Sequence, residues 1–284
     1  MTAKNHLTPK EILKATNATG ITKSNLPIFP MFILSIIAGA FIAFGAAASN
    51  MGSYNLLANP DSFGLGKVVA GAIFASGLIM VVCAGAELFT GNSLMTIALL
   101  NREITLGKLL RNWLTVYIGN AIGSIFIAFM IFYGDILTAS NGLLGAIGIK
   151  IAVGKASLPF MKAFWLAVLC NWLVCTGVWM ATGADSTIGK IFSAFFPIWA
   201  FVLGSFEHCV ANMYYGPSAL FAKTSPQICQ AAVNLGLSPQ AIDNLTWSNF
   251  FLNNLVPVTL GNIVGGAICV GMFYWLVYRE KESN

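Results

Sequence analysis

Charge is scarce in this sequence. Of 284 residues only 9% are Asp, Glu, Lys or Arg against 57% hydrophobic, and the mean hydropathy is +0.77. A soluble chain of this length needs a charged shell. The shortage therefore excludes an ordinary water-soluble domain and points to a polytopic membrane protein, whose outside lipid covers. Histidine is scarcer still, with His6 and His208 the whole supply. The six cysteines, at 83, 170, 175, 209, 229 and 269, lie mostly in apolar runs and form no CxxC, so no disulfide framework is expected and they read as packing residues. A metal site fails for want of ligands, because His208 and Cys209 have no two further candidates nearby. No basic cluster interleaved with aromatics accompanies the net charge of +5, so nucleic acid is not an expected partner. The mostly polar residues 1–25 do not read as a cleavable signal peptide.

What the chain has in abundance is long apolar runs. A span needs about 20 apolar residues to cross roughly 30 Å of hydrocarbon. Six candidates meet this: 30–50, 67–100, 107–133, 158–182, 187–216 and 248–278. They define a transmembrane domain over 30–278, between cytoplasmic tails at 1–29 and 279–284. Two spans are unusual, since 67–100 and 187–216 each carry a glutamate and an asparagine. As one straight helix, 67–100 would reach about 50 Å. A break is expected at Glu87–Asn92, where irregular backbone survives only if it is buried or lines a cavity. Positive charge sets orientation. Lys4, Lys10, Lys14, Lys23, Arg102, Lys108, Arg111, Lys190, Arg279 and Lys281 gather on one side. Lys67, Lys150, Lys155 and Lys223 fall on the other, with Lys162 slightly inside the fourth span. Both termini are thus expected in the cytoplasm. Thr8-Pro9-Lys10-Glu11 is a capping box that opens a short tail helix, expected as a solvated surface helix. A further interfacial helix is expected at 225–235, in a longer outer loop spanning 217–247.

The two halves share a pattern. ELFTGN (87–92) and EHCVAN (207–212) both read E-x4-N, 120 residues apart, while NWLTVYIGNAIG (112–123) and NLVPVTLGNIVG (254–265) share N-x6-G-N-x2-G, 142 apart. The matches fall in the second and fifth spans, then in the third and sixth. Three spans per half turn the second half upside down, which predicts an inverted 3+3 repeat with broken second and fifth helices. Gly119, Gly123, Gly261 and Gly265 read as helix-packing positions. A carboxylate within a span costs about 2.5–3.5 kcal/mol, so Glu87 and Glu207 require partners. They are expected to support the breaks by accepting freed backbone amides, with Asn92, Asn212 and a conformationally free Gly91 beside them.

AELFTGN, CNWLVC (170–175), FEHCVANM and NLVPVTLGN together resemble the formate/nitrite transporter family, and within it the formate channels, over nearly the whole chain. The resemblance implies a homopentamer of aquaporin-like protomers, each an all-α membrane domain with its own pore. The chain has no Asn-Pro-Ala motif of an aquaporin and no second pore histidine of an ammonium channel. By resemblance His208 is the central pore histidine, faced by Thr90. Phe74 and Phe201 form an outer constriction, and Leu78, Leu88 and Val174 an inner one. Lys155 stands in the outer vestibule, and Asn171 and Asn262 on the pore side. The residues accord with this: Phe74 and Leu78 share a helix face, as do Asn171 and Val174.

A small anion must be attracted and then carried past apolar rings. Lys155 at the mouth and helix N-termini serve the first need. His208 serves the second, either by giving the anion its proton or by remaining neutral and hydrogen-bonding it. The expected function is a pH-dependent channel or transporter for small monovalent anions of weak acids, with formate first. Nitrite or hydrosulfide are the alternatives, and acetate and lactate are further candidates. The expected partners are the anion, a proton, membrane lipid and further copies of the chain; the expected location is a bacterial cytoplasmic membrane, and no cofactor is expected. A membrane enzyme or receptor built on Glu207-His208-Cys209 is the rival class. Adjacent residues on one backbone make poor geometry for a nucleophile and its base. A purely structural scaffold would leave the polar pairs at the breaks without purpose.

Overall fold

A computed structural model describes residues 6–280, and it is built from helices. Among these residues the one β-type pairing is an isolated antiparallel bridge between His6 and Ala184. Five helices are long and apolar enough to cross a membrane: α2 (Ile28–Ala58), α3 (Phe63–Ala84, preceded by the turn Pro60–Ser62), α5 (Leu106–Tyr133), α7 (Phe160–Gly183) and α12 (Trp247–Tyr278). The last is wound partly as π-helix, at Phe251–Leu255 and Val264–Met272.

Both unusual segments are broken. α3 ends at Gly85, and the chain resumes as a 3-10 turn over Gly91–Met95 and then α4 (Thr96–Leu100). α8 (Thr187–Leu203) stops before Ser205, and α9 (Cys209–Ala222) starts after Glu207-His208. Gly85 at φ 80° and Ser205 at φ 56° turn the chain out of helix at these two points. Glycine adopts that region freely, whereas serine there is strained and must be held by its surroundings.

The glycines of the second shared pattern act as packing positions. A Cβ on Gly119 would lie 2.5 Å from Ser35 Cβ and one on Gly123 2.0 Å from the Ile36 carbonyl, where α5 crosses α2. On α12, Gly261 and Gly265 meet α7 in the same way, 2.3 Å from the carbonyls of Phe164 and Val168. Such crossings need the backbone-to-backbone approach that only glycine allows.

Two features differ from the expectations. The tail helix α1 (Pro9–Asn25) opens with the capping box, but at 17 residues it is longer than a local turn and is not a detached surface helix. Ile12 and Leu13 are buried in a cluster with Ile97 and Trp179, so its apolar pair seats against α4 and α7. Lys14 Nζ lies 2.8 Å from a Glu280 oxygen and holds that carboxyl below its usual range. The second difference is α6 (Leu143–Ala156) in the connection between the third and fourth candidate spans. At 14 residues it is too short to cross a bilayer, and it packs instead on α9 and α10 through Leu144, Ile149 and Ala152. The interfacial segment is helical as α10 (Pro226–Asn234), followed by α11 (Pro239–Asn244).

Candidate functional site

The two breaks share a core set of bonds, made twice; beyond it Lys23 Nζ also reaches Asn92 Oδ1 at 2.9 Å, and Asn254 Nδ2 reaches Glu207 Oε2 at 3.1 Å. At the first, Asn92 Nδ2 donates to Glu87 Oε2 (2.8 Å) and to Asn112 Oδ1 (2.8 Å), and Lys23 Nζ reaches Glu87 Oε1 at 2.8 Å. At the second, Asn212 Nδ2 donates to Glu207 Oε2 (2.7 Å) and Asn254 Oδ1 (2.6 Å), and Lys155 Nζ reaches Glu207 Oε1 at 2.8 Å. The freed backbone is served by another pair. Asn120 accepts from the Phe89 amide and donates to the carbonyls of Ser35 and Glu87. Asn262 accepts from the Cys209 amide and donates to the carbonyls of Ala167 and Glu207.

This corrects one expectation. Glu87 and Glu207 support the breaks, but they accept from asparagine amides and lysine ammonium groups, and the freed amides go to Asn120 and Asn262. The charge explains the division: a desolvated carboxylate is stabilised most by a cation, while a neutral amide oxygen suffices for a neutral N–H. Gly91 is corrected as well. It has no positive φ, and a Cβ there would meet only Val178 Cγ2, at 3.6 Å. The glycine that the first break requires is Gly85. Gly91→Ala is therefore expected to leave folding and transport near wild type, while Gly123→Ala, forced onto the Ile36 carbonyl, should destabilise by several kcal/mol. Thermal melts of the two detergent-solubilised variants check this, and equal losses would return Gly91 to a structural role.

Between the two networks His208 and Thr90 meet, with Nε2 3.1 Å from Oγ1. His208 is the N-cap of α9, its Nδ1 accepting from the Ala211 amide at 3.1 Å. That bond assigns the proton of the neutral ring to Nε2, so the ring donates toward Thr90. The imidazole lies nearly parallel to Phe201 (centroids 5.8 Å, 14°), and Phe201 meets Phe74 edge-on at 5.6 Å.

A cavity approaches this cluster from each side. One, of about 780 Å3, ends on Phe74, Phe201 and His208 and is lined by Lys67, Lys150, Lys155 and Lys162. The other, of about 570 Å3, ends on Leu78 and Leu88 and is roofed by α1 through Thr16, Gly20 and Lys23. Val174 lines neither; it is buried, and Val178, one turn on, faces the second cavity. Asn171 is a strut across the halves, donating to the carbonyls of Thr90 (3.2 Å) and Asn262 (2.6 Å), and Asn262 is committed to the second break. Lys155 lines the first cavity, but its charge is paired with Glu207. Cys209 makes no set with His208, and no group of three or more metal-ligating side chains exists among the described residues.

The sequence matches the Formate/nitrite transporter family over residues 10–276. The chain belongs to that family. It is 40% identical to a protein described as a probable formate transporter from Methanothermobacter thermautotrophicus, covering 96% of this chain and 97% of that protein. It is 38% identical to the formate channel FocA of Haemophilus influenzae, covering 94% and 93% respectively. Among solved structures, a pentameric formate channel with formate bound superposes with a TM-score of 0.78 at 35% identity, over 89% of this chain and 98% of that one. As a member of the formate/nitrite transporter family the chain is a multi-pass membrane transporter and not an enzyme. Within this formate/nitrite transporter, Lys23, Asn112, Asn120 and Asn254 also hold the breaks and are not among the residues singled out from the sequence. Three of these four were within reach, since the N-x6-G-N pattern contains Asn112, Asn120 and Asn254.

Proposed function

We propose that this protein is a pH-dependent channel for small monovalent anions of weak acids, with formate as its first substrate. The observation that carries the reading is the His208–Thr90 contact, a pair of hydrogen-bonding side chains enclosed by Phe and Leu closures at the meeting point of two cavities. The names of the relatives support formate, and nitrite, hydrosulfide, acetate and lactate are small enough to share the path. An anion between Thr90 and His208 receives one O–H and one N–H in place of lost water. For His208 to hand over a proton and remain neutral, the ring must first take one at Nδ1, which displaces the Ala211 amide. Capping of α9 and proton transfer thus draw on one nitrogen.

The architecture proposed with this function is an inverted 3+3 repeat of six spans, with the broken α3/α4 and α8/α9 units as the second and fifth. The duplicate networks support it, because Lys23, Glu87, Asn92, Asn112 and Asn120 have their counterparts in Lys155, Glu207, Asn212, Asn254 and Asn262. The α1 side, with its surplus of Lys and Arg, is proposed to be cytoplasmic in a bacterial membrane, with tails at 1–29 and 279–284. The assembly is proposed to be a homopentamer with one pore per protomer; the solved neighbour is described as pentameric.

Purified protein in liposomes should pass formate faster than protein-free vesicles, with uptake rising as external pH falls. Chloride should pass poorly across the same panel of anions. Vesicles that carry no formate, nitrite or hydrosulfide above background would remove the channel reading.

A further inference from the structure

We propose that the lysine-lined cavity is a docking site for small dicarboxylate dianions, which enter it, cannot pass its floor, and block the monoanion path from that side. The block of flux rests on the channel reading above; the binding does not. Lys67, Lys150, Lys155 and Lys162 line this cavity, and Glu207 is the one carboxylate among its described lining residues. Lys155 takes that carboxylate at 2.8 Å. Lys150 reaches only the Leu235 carbonyl, at 3.4 Å, and neither Lys67 nor Lys162 forms an ion pair among the described residues. Three ammonium charges thus face the cavity without a counter-charge, more than one monoanion balances.

The floor decides what such a site does. Phe74 and Phe201 meet on it edge to face, and beside them His208, which lines the same cavity, presents a single Nε2–H, with the Thr90 hydroxyl 3.1 Å further on. One carboxylate can be served there; a second, tethered to it, would have to be stripped of water against two phenyl rings. The opposite cavity differs in charge, since Lys23 is paired with Glu87 and Lys190 is the remaining cation on its wall. Dianion binding is therefore expected from the lysine-lined side alone.

The test uses the whole purified protein, titrated calorimetrically with malonate and with formate at low salt, where attraction is least screened. Malonate should bind more tightly than formate. The double variant Lys150→Gln/Lys162→Gln changes two exposed side chains and should fold as wild type. Interaction energy scales with ligand charge, so a variant that weakens formate about three-fold should weaken malonate about ten-fold. Lys108→Gln, on the opposite side, should change neither. Malonate binding no tighter than formate, or equal losses for the two anions, overturns the proposal. If malonate binds as expected while liposomes carry no formate, the docking site stands and the channel reading has failed. If formate flows and malonate does not bind, the reverse holds.

Discussion

His208→Asn is expected to abolish pH-dependent, electroneutral uptake of formate and to leave an electrogenic anion leak. Asparagine is a good N-cap, so α9 should still begin at Cys209, and an amide remains near Thr90 to bond the anion. What disappears is the titratable ring. A path that no longer supplies a proton passes the charge itself, and uptake then carries current. Flux in proteoliposomes with an internal pH dye, together with bilayer current recording, separates the outcomes. Wild-type pH dependence with no added current would reduce His208 to a polar lining group and a helix cap.

Lys155→Met should cost about 3–5 kcal/mol of stability, because it strands a buried Glu207 charge without its cation. Adding Glu207→Gln should recover most of that loss, since glutamine removes the charge and still offers an oxygen to the Asn212 and Asn254 amides. The sequence offers a different role, with Lys155 concentrating anions at the mouth. On that role Lys155→Met would weaken apparent affinity in a salt-dependent way and leave the unfolding midpoint unchanged. The ion pair at 2.8 Å, with Lys155 and Glu207 side chains only 15% and 5% exposed, favours the structural role. Unfolding midpoints of both single variants and the double variant, compared as a cycle, decide between them.

Both breaks were legible because polar residues are conspicuous in an apolar run, and a pattern that recurs in matching spans is harder to dismiss than either copy. The sequence could also say that Glu87 and Glu207 need partners, since desolvated charge always does. It could not name them all. Lys23 sits in a polar tail, where a lysine looks like surface charge, and no local spacing shows that it reaches a carboxylate 64 residues on. Gly91 reads as the conformationally free residue of the first break, yet the left-handed turn falls at Gly85, because a break is placed by where the helix stops. Helix α6 went unread because its apolar stretch is too short for a span and carries Lys150 and Lys155. Its burial depends on α9 and α10, which lie more than 50 residues later in the chain.

The bonding of the breaks also bears on how the chain is built. The Phe89 amide is satisfied by Asn120, and the Cys209 amide by Asn262, 53 residues downstream. Asn212 likewise waits for Asn254, 42 residues on. While the chain emerges from the ribosome, each irregular stretch must therefore wait for the next span before its polar groups are covered, and hydrocarbon offers nothing in the meantime. The second wait lasts until the last helix is made. A ribosome stalled before residue 254 would have Lys155 in place for Glu207 but would leave Asn212 without Asn254 and the Cys209 amide without Asn262, so the final helix acts as a completeness check on synthesis.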